Sequence, residues 1–397
     1  MNSAVPEGWK VRPIGDLVTL QYGKSPKEVM AEDGQYPVIG TGGVTGYASS
    51  YLYDGCTTVI GRKGTINKPS YVEGKFWAID TTYFGTGYEA AEPKWFYYSL
   101  NSFDLSKYNE ASGVPSLGRD TLNAIPLLTP PLPEQQKIAA ILSSVDDVIE
   151  KTRAQIDKLK DLKTGMMQEL LTKGIGHTEF KDSALGQIPA SWDVRYISDL
   201  CSHIVDCVNK TAPVVDHVTP YKMIRTTNVR NGRIVMDGMR YVSQETFQAW
   251  SRRLALRAGD LIFTREAPVG ECGLVRNANG LFLGQRTMVY RAAPEKLDSS
   301  FLLWSMLSEY CQNQIQDLSG GSTTPHLRVP DCGKILLKVP PLAEQREISS
   351  AIQSVATLLE QKEIKVAHVT GLKKALMQDL LTGKVRVNVR ENETAVA

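Results

Sequence analysis

The chain carries the same pair of motifs twice, 210 positions apart (131 to 341). Pro131-Leu132-Pro133-Glu134-Gln135 returns as Pro341-Leu342-Ala343-Glu344-Gln345, and segment 162–172 returns at 372–382 with Met-Gln-x-Leu-Leu-Thr in both copies. The stretch between the motifs has the same length in each copy, whereas the segments that separate the copies differ in length and content. Such self-similarity is the signature of a repeated supersecondary unit. We therefore expect the constant segment to perform one structural task twice.

Apolar residues recur three or four positions apart through both constant segments, which predicts two long amphipathic helices. About 40 residues at 1.5 Å each give a rod of roughly 60 Å, which cannot bury its apolar seam alone. We therefore expect the two copies to pair as an antiparallel coiled coil. The predicted seam residues are Ile138, Leu142, Val145, Ile149, Ile156, Leu159, Leu162, Met166 and Leu170 in the first copy, and Ile348, Ile352, Val355, Leu359, Val366, Val369, Leu372, Leu376 and Leu380 in the second.

Each variable body begins at a tryptophan, Trp9 or Trp192, and ends before one of the Pro-Pro pairs. Short β-rich runs bounded by Gly, Pro and Asn, including 57–60, 78–84, 260–263 and 287–290, predict strands, and 95–101 and 299–316 have helical patterns. The motif Ser112-Gly113-Val114-Pro115-Ser116-Leu117 is matched by 322–327 near the end of the second body. The predicted fold class is α+β, with two mixed α/β domains that contain mostly antiparallel sheets and are separated by the paired helices.

These landmarks predict six segments. They are a first domain at 1–130, a central helical spacer at 131–174, a linker at 175–188, a second domain at 189–340, a C-terminal helical spacer at 341–384 and a tail at 385–397. A chain of 397 residues exceeds one ordinary core, which fits this division.

Composition excludes several classes without choosing a function. The chain is 42% hydrophobic and 22% charged, has no run of eighteen apolar residues, and shows no basic-then-apolar start, so we expect a cytoplasmic protein without a membrane span. Its six cysteines have irregular spacings, which favours free thiols over a disulfide framework or zinc ribbon. The formal net charge of +2 neither indicates nor excludes a nucleic-acid partner, because clustering of cations decides that.

No motif predicts catalysis or metal binding. The chain lacks a Gly-x-x-x-x-Gly-Lys-Ser/Thr phosphate loop, and its Pro-Pro pairs precede leucine instead of forming an Asn/Asp-Pro-Pro-aromatic methyltransferase motif. The five histidines have no ligand spacing. We predict no catalytic residue, no metal ligand and no cofactor bound by this chain.

The order of these parts resembles the DNA specificity subunit of type I restriction-modification systems, which has two target-recognition domains and two conserved helical regions. The resemblance covers essentially the whole chain and depends on Pro-Pro-Leu-x-Glu-Gln at 130–135 and 340–345, Met-Gln-x-Leu-Leu-Thr at 167–172 and 377–382, and the two tryptophans. It implies a non-catalytic subunit that recognises double-stranded DNA.

The resemblance also implies the partners. Two methyltransferase subunits would bind S-adenosylmethionine, and two restriction/translocase subunits would use ATP with Mg. Two domains on a coiled-coil ruler could read two different half-sites across an unread gap.

The family offers no residue-by-residue motif for DNA contact, so the prediction depends on side-chain chemistry. Arg recognises guanine edges and Asn or Gln recognises adenine, and we chose such residues in polar Gly-rich loops. The predicted DNA-binding residues are Arg62, Lys63, Asn67, Lys68, Ser112, Ser116 and Arg119 in the first domain, and Arg225, Asn228, Arg230, Asn231, Arg265, Arg286, His326 and Arg328 in the second.

An alternative reading is a two-armed coiled-coil scaffold that holds two protein-binding domains and never contacts DNA. The two hypotheses differ in salt dependence, because phosphate neutralisation makes affinity fall steeply with salt.

Overall fold

The computed structural model describes residues 5–320 and 325–389, which form two compact units. Unit 1 contains the described residues up to 154 together with those from 364 onward, and unit 2 contains residues 155–363 apart from 321–324. The predicted repeat residues 322–324 and residues 390–397 of the predicted tail lie outside this description. Within the described ranges, no helix combines the length and hydrophobicity needed to cross a membrane.

Unit 1 begins with a strand that starts directly after Trp9. Its elements are β1 (Lys10–Pro13), β2 (Thr19–Tyr22), β3 (Tyr36–Gly40), β4 (Gly43–Ala48), β5 (Tyr53–Asp54), β6 (Thr57–Gly61), β7 (Ser70–Val72), β8 (Lys75–Ala78), β9 (Thr82–Thr86), α1 (Pro93–Asn101), α2 (Arg119–Ala124), β10 (Pro126–Thr129) and the first part of α3 (Leu132–Lys173).

The central sheet of unit 1 has the antiparallel strand order β2-β9-β6-β7 and is covered on both faces. Side chains alternate between the faces of a strand. Accordingly, Ile60 and Tyr83 belong to the core that contains α1, whereas Val59 and Phe84 belong to the core that contains the second sheet, β4-β3-β8-β5. Burial of both faces explains why all five residues of β6 are buried, with no alternation between buried and exposed positions.

Unit 2 repeats this plan with longer loops. Its further elements are the second part of α3, β11 (Phe180–Lys181), β12 (Ile188–Pro189), β13 (Asp193–Tyr196), α4 (Ile197–Leu200), β14 (Cys201–Asp206), β15 (Lys222–Ile224), β16 (Val229–Arg230), β17 (Arg233–Ile234), β18 (Arg240–Tyr241), α5 (Gln244–Ser251), β19 (Leu261–Arg265), β20 (Val269–Leu274), β21 (Leu281–Leu283), β22 (Thr287–Ala292), α6 (Ser299–Met306), α7 (Glu309–Leu318), β23 (Leu336–Val339) and the first part of α8 (Leu342–Leu380).

The central sheet of unit 2 has the antiparallel order β14-β22-β19-β20. Phe263 and Tyr290 face the core that contains α6, and Ile262 and Val289 face the core that contains β15 and β21. Of the described strand pairs, only β3–β8 and β15–β21 are parallel. The predicted fold class, mixed domains with mostly antiparallel sheets and two long helices that pack together, is confirmed.

Two predicted elements are divided by turns. Segment 78–84 is not one strand, because a turn closed by the N–H of Thr82 and the carbonyl of Ile79 (3.0 Å) separates β8 from β9. Segment 299–316 is two helices, because Ser308 caps α7 by accepting a hydrogen bond from the Cys311 N–H. A serine at this position ends one apolar helix and starts the next.

The repeated glutamate fixes the tryptophan that begins each body. In unit 1 the indole nitrogen of Trp9 donates to Glu134 (2.9 Å), and Arg386 donates to both oxygens of the same carboxylate (2.8 and 2.9 Å). In unit 2 the indole nitrogen of Trp192 donates to Glu344 (3.0 Å), and Nε2 of His177 lies 2.7 Å from Oε1 of the same carboxylate. Each carboxylate thus joins the start of a body to the first turn of a long helix.

The repeated glutamine fixes the N-terminus of the helix that covers each central sheet. Gln135 accepts from the N–H of Glu92 (2.8 Å), the residue that caps α1, and donates to the carbonyls of Ala90 and Pro130. Gln345 makes the same three contacts in unit 2, with the Asp298 N–H and the carbonyls of Lys296 and Pro340. The Glu-Gln pair of the motif therefore sets how each body sits on its own helical segment.

The long helices pack in antiparallel halves within each unit. In unit 1 the N-terminal half of α3, with Ile138 and Leu142, shares a core with Leu376 and Leu380 near the C-terminus of α8. In unit 2 the core joins Leu170 and Leu171 near the C-terminus of α3 to Ile348, Ile352 and Ala356 near the N-terminus of α8.

Two predicted seam residues are wrong. Leu162 and Leu372, which are equivalent in the repeat, are 51% and 48% exposed. The seam alternates spacings of four and three, so the inward position after Leu159 is 163, and the one after Val369 is 373. Both are lysines, and the apolar residues at 162 and 372 therefore turn outward.

Each inward lysine lies over an aromatic ring of its own unit. The ammonium of Lys163 is 5.7 Å from the ring centroid of Trp304, and that of Lys373 is 5.2 Å from Tyr98. Lys373 also pairs with Asp146 (2.6 Å), which accepts a hydrogen bond from the Tyr98 hydroxyl (2.7 Å). The position equivalent to Asp146 in the second copy is Ala356.

Candidate nucleic-acid interface

Four of the predicted DNA-binding residues of the first domain come together where two distant loops meet. Lys63, just after β6, forms a β-bridge with Ser116, and the N–H of Leu117 donates to the carbonyl of Arg62 (2.9 Å). Arg119 follows at the start of α2. We call Arg62, Lys63, Ser116 and Arg119 the first basic cluster.

A tyrosine organises the two guanidinium groups of this cluster. Arg62 and Arg119 both lie over the ring of Tyr22, at 5.4 and 5.0 Å from its centroid, and Tyr22 packs on Tyr83 (5.1 Å). Burial raises the pKa of Tyr83 to about 12, so this phenol stays neutral and donates to the Leu117 carbonyl (3.1 Å). Within the described part of the chain, no carboxylate forms an ion pair with these two arginines.

The corresponding loops of the second domain bring Arg265, Arg286, His326 and Arg328 together, and we call these residues the second basic cluster. The N–H of Leu327 donates to the carbonyl of Arg265 (2.9 Å), and the N–H of Arg265 donates to the carbonyl of Arg286 (2.9 Å). His326 forms a β-bridge with Glu266.

Carboxylates partly neutralise the second cluster. The guanidinium of Arg286 is 3.3 Å from Glu266, and that of Arg328 donates to Asp331 (2.8 Å). Hydrogen bonds from Lys334 and then Arg328 lower the pKa of Asp331, so this carboxylate is charged at neutral pH. The two clusters therefore differ in net charge although they occupy the same place in the fold.

Matching hydrogen bonds define which residues of the two clusters are equivalent. In both domains a leucine N–H donates to an arginine carbonyl, and the residue that follows this arginine in sequence forms the β-bridge. The equivalent pairs are Arg62 with Arg265, Lys63 with Glu266, and Ser116 with His326. One backbone frame thus presents different side chains in the two domains.

The structure places the other predicted residues outside these clusters. Asn67 and Lys68 are exposed farther along the β6–β7 loop, and Ser112 is exposed in the bend before Ser116. Arg225 and Arg230 are half-buried and donate to backbone carbonyls of Gly238, and of Thr226 and Val229, respectively. Asn231 is exposed in the β16–β17 turn.

The prediction for Asn228 is wrong. This side chain is only 2% exposed, and its amide donates to the carbonyls of Val235 and Asp237 while its oxygen accepts from the N–H of Arg225 (3.1 Å). An asparagine whose hydrogen-bonding groups close a turn cannot also read a base. Arg265 is likewise engaged with its own fold, because it donates to the Leu327 carbonyl (3.3 Å).

Sequence reasoning missed Tyr22 and Glu266. Glu266 could have been found by aligning 57–64 with 260–267, which places it opposite Lys63. The pattern around Tyr22 gave no such signal, since its role depends on arginines 40 and 97 positions away (62−22 and 119−22).

Comparison with known proteins gives one consistent result. The family model described as type I restriction modification DNA specificity domain matches residues 6–161 and 189–368. The chain is 28% identical to the type I restriction enzyme MjaVIII specificity subunit of Methanocaldococcus jannaschii, covering 96% of this chain and 94% of that one. It is 21% identical to the EcoDI specificity subunit of Escherichia coli, covering 97% and 90%.

Solved structures agree on the fold. The crystal structure of a type I restriction-modification S subunit from M. genitalium superposes with a TM-score of 0.67 at 14% identity, covering 94% of this chain and 96% of that one. The repeat, the paired helices and the family match lead to the same conclusion. The chain belongs to the type I restriction modification DNA specificity domain family.

Proposed function

We propose that this chain is the DNA sequence-recognition subunit of a type I restriction-modification complex and binds a bipartite, asymmetric double-stranded target. The observation that carries the proposal is the pair of equivalent basic clusters, one in each domain of a chain that belongs to this family. Exposed arginines and lysines neutralise phosphates, and arginine forks recognise guanine in the major groove.

The two half-sites should differ, because the equivalent positions carry different chemistry. A lysine in the first domain stands where the second has a glutamate, and a serine stands where the second has a histidine. The ammonium of Lys63 can only donate hydrogen bonds, whereas the carboxylate of Glu266 only accepts them, so the two positions favour different groups on the DNA or on neighbouring side chains. Identical frames with different side chains thus favour an asymmetric target.

The long helices would serve as the ruler between the half-sites. At 1.5 Å per residue, the 42 residues of α3 and the 39 of α8 give lengths of about 60 Å. Both helices contribute to both units, so their length would fix the unread gap.

Catalysis would belong to the partners. The proposed assembly contains two methyltransferase subunits that bind S-adenosylmethionine and two restriction/translocase subunits that use ATP with Mg. This chain would act without a cofactor of its own, as a non-catalytic subunit in the cytoplasm.

The test is a map of methylated adenines in cells that express this chain with its companion methyltransferase, with the methyltransferase alone as control. We expect a gapped, asymmetric motif only when this chain is present. If a purified complex contains both proteins and yet no new motif appears, the proposal fails and a protein scaffold without DNA contact is favoured.

A further inference from the structure

The two domains contain equivalent turns before the strand that pairs with β6 or β19. In the first domain the turn is Ile79–Thr82, and in the second it is Gly284–Thr287. In each, the N–H of the last residue donates to the carbonyl of the first (3.0 and 3.4 Å), and the threonine hydroxyl donates to the same carbonyl (2.7 and 2.6 Å). The same frame is therefore built twice with different residues at its tip.

The backbone differs at one position of this frame. Arg286, the third residue of its turn, has φ of +68°, whereas the φ of the equivalent Thr81 is negative. The left-handed region favours glycine or asparagine at this turn position and is costly for a side chain such as arginine. Because the first domain closes the same turn with an ordinary backbone, the fold does not require the strained conformation. Backbone strain of this kind clusters at binding and active sites.

The side chain of Arg286 is also placed to bind a ligand. Its side chain is 49% exposed, and its closest contact with Glu266 is made by Nε (3.3 Å) and not by a terminal nitrogen. Arg265, in contrast, is engaged with the Leu327 carbonyl. Arg328 is held through Nε by Asp331 (2.8 Å) in the same way and is 71% exposed, so the strained backbone is what separates Arg286 from it. A guanidinium oriented by a carboxylate can present two parallel N–H groups to the O6 and N7 acceptors of guanine.

We infer that Arg286 is a specificity-determining residue of the second domain, which reads a guanine in its half-site, with Glu266 as its positioning residue. This inference rests on the proposed function. It separates Arg286 from the other cations of both clusters, which would contact phosphates and fix register without selecting a base.

The experiment compares Arg286→Gly, Arg286→Lys and the matched control Arg252→Gly in the complex with the companion methyltransferase. Arg252 lies in the same domain, is exposed and has φ of −59°, so its substitution removes the same charge without relieving strain. Each variant is assayed for its methylation motif in cells, for methylation of duplexes substituted at every half-site position, and for melting temperature.

We expect Arg286→Gly to melt at the parent temperature or above it, because glycine accepts the positive φ. The same variant should lose about ten- to a hundredfold of its discrimination at one G·C pair of one half-site, with the other half-site unchanged. Arg286→Lys should relax the same position, since lysine lacks the planar fork. Arg252→Gly should retain the parent motif.

Other results would overturn the inference. An unchanged motif in both Arg286 variants would show that the residue selects no base, and an equal loss of methylation on all duplexes would assign it to a phosphate. If the proposed DNA-recognition function itself fails, the parent complex will yield no gapped motif. That result distinguishes failure of the proposed function from failure of the inference about Arg286.

Discussion

The side-chain oxygen of Gln345 accepts a hydrogen bond from the backbone N–H of Asp298 (2.8 Å), the residue that caps α6. Asp298 in turn accepts from the N–H groups of Ser300 and Phe301, so one glutamine at the start of a long helix fixes the first turn of another. The repeated motif thus docks each body onto a long helix through buried hydrogen bonds. Removing these hydrogen bonds should lower the free energy of unfolding.

Replacing Gln345 by methionine should destabilise the chain by about 2–4 kcal/mol, because the Asp298 N–H and the carbonyls of Lys296 and Pro340 would lose their partner in a buried site. Chemical denaturation followed by tryptophan fluorescence measures the effect. Gln361→Met, at an exposed position of the same helix, is the control. Equal midpoints for the two variants would contradict the docking role.

Lys163 and Lys373 should respond oppositely to replacement by methionine. Lys373→Met would leave Asp146 without its cation and should cost about 1–2 kcal/mol. Among residues 5–320 and 325–389, no carboxylate forms an ion pair with Lys163. Desolvation followed by the charge of Arg233 lowers its pKa, with Glu363 opposing the shift. Lys163→Met should therefore stabilise the chain at pH 7, by less than about 1 kcal/mol given the solvent that still reaches the site. Two equal destabilisations would refute this account.

The gain from Lys163→Met should also depend on pH. A lysine whose pKa is lower in the folded chain than in the unfolded chain opposes folding while it is protonated. That penalty is fully present at neutral pH and disappears as pH rises through the lowered folded pKa towards the unfolded value of 10.5. Denaturation midpoints of parent and variant should converge between pH 7 and alkaline pH. A constant difference would mean that packing, not charge, separates them.

Asn228→Asp should destabilise the second domain by about 2 kcal/mol, because the two donated hydrogen bonds to the Val235 and Asp237 carbonyls are lost. The complex that contains the Asn228→Asp variant should keep the methylation motif of the parent complex, since the side chain of Asn228 is buried. Denaturation and motif mapping test the two halves of this prediction. A changed motif with unchanged stability would restore Asn228 as a DNA contact.

The sequence predicted the features that depend on local periodicity. The three-four spacing gave two long helices, observed at Leu132–Lys173 and Leu342–Leu380, and the β-rich runs gave the strands of the central sheets. The prediction placed Leu162 and Leu372 in the seam because they are apolar and lie three positions after Leu159 and Val369. The residues four positions after Leu159 and Val369 are lysines. Strict alternation of four and three instead places Lys163 and Lys373 inward, where each lies over an aromatic ring.

The candidate interface was predictable in residue type and not in arrangement. Arg62 and Ser116 are 54 positions apart (116−62), and only the pairing of their loops places them together. The roles of Tyr22 and Asn228 likewise depend on contacts between segments. Side-chain chemistry therefore selected plausible residues, while tertiary pairing determined which of them share a surface.

The division of the chain into its two units has a consequence for synthesis on the ribosome. Unit 2 is contiguous, so all of it has been made once residue 363 is added, whereas the core of unit 1 includes Leu376, Leu380 and Leu381 near the other end of the chain. The unit whose translation starts first is therefore the last whose core can be completed. A chain that ends before residue 376 would contain all of unit 2 but would lack part of the core of unit 1.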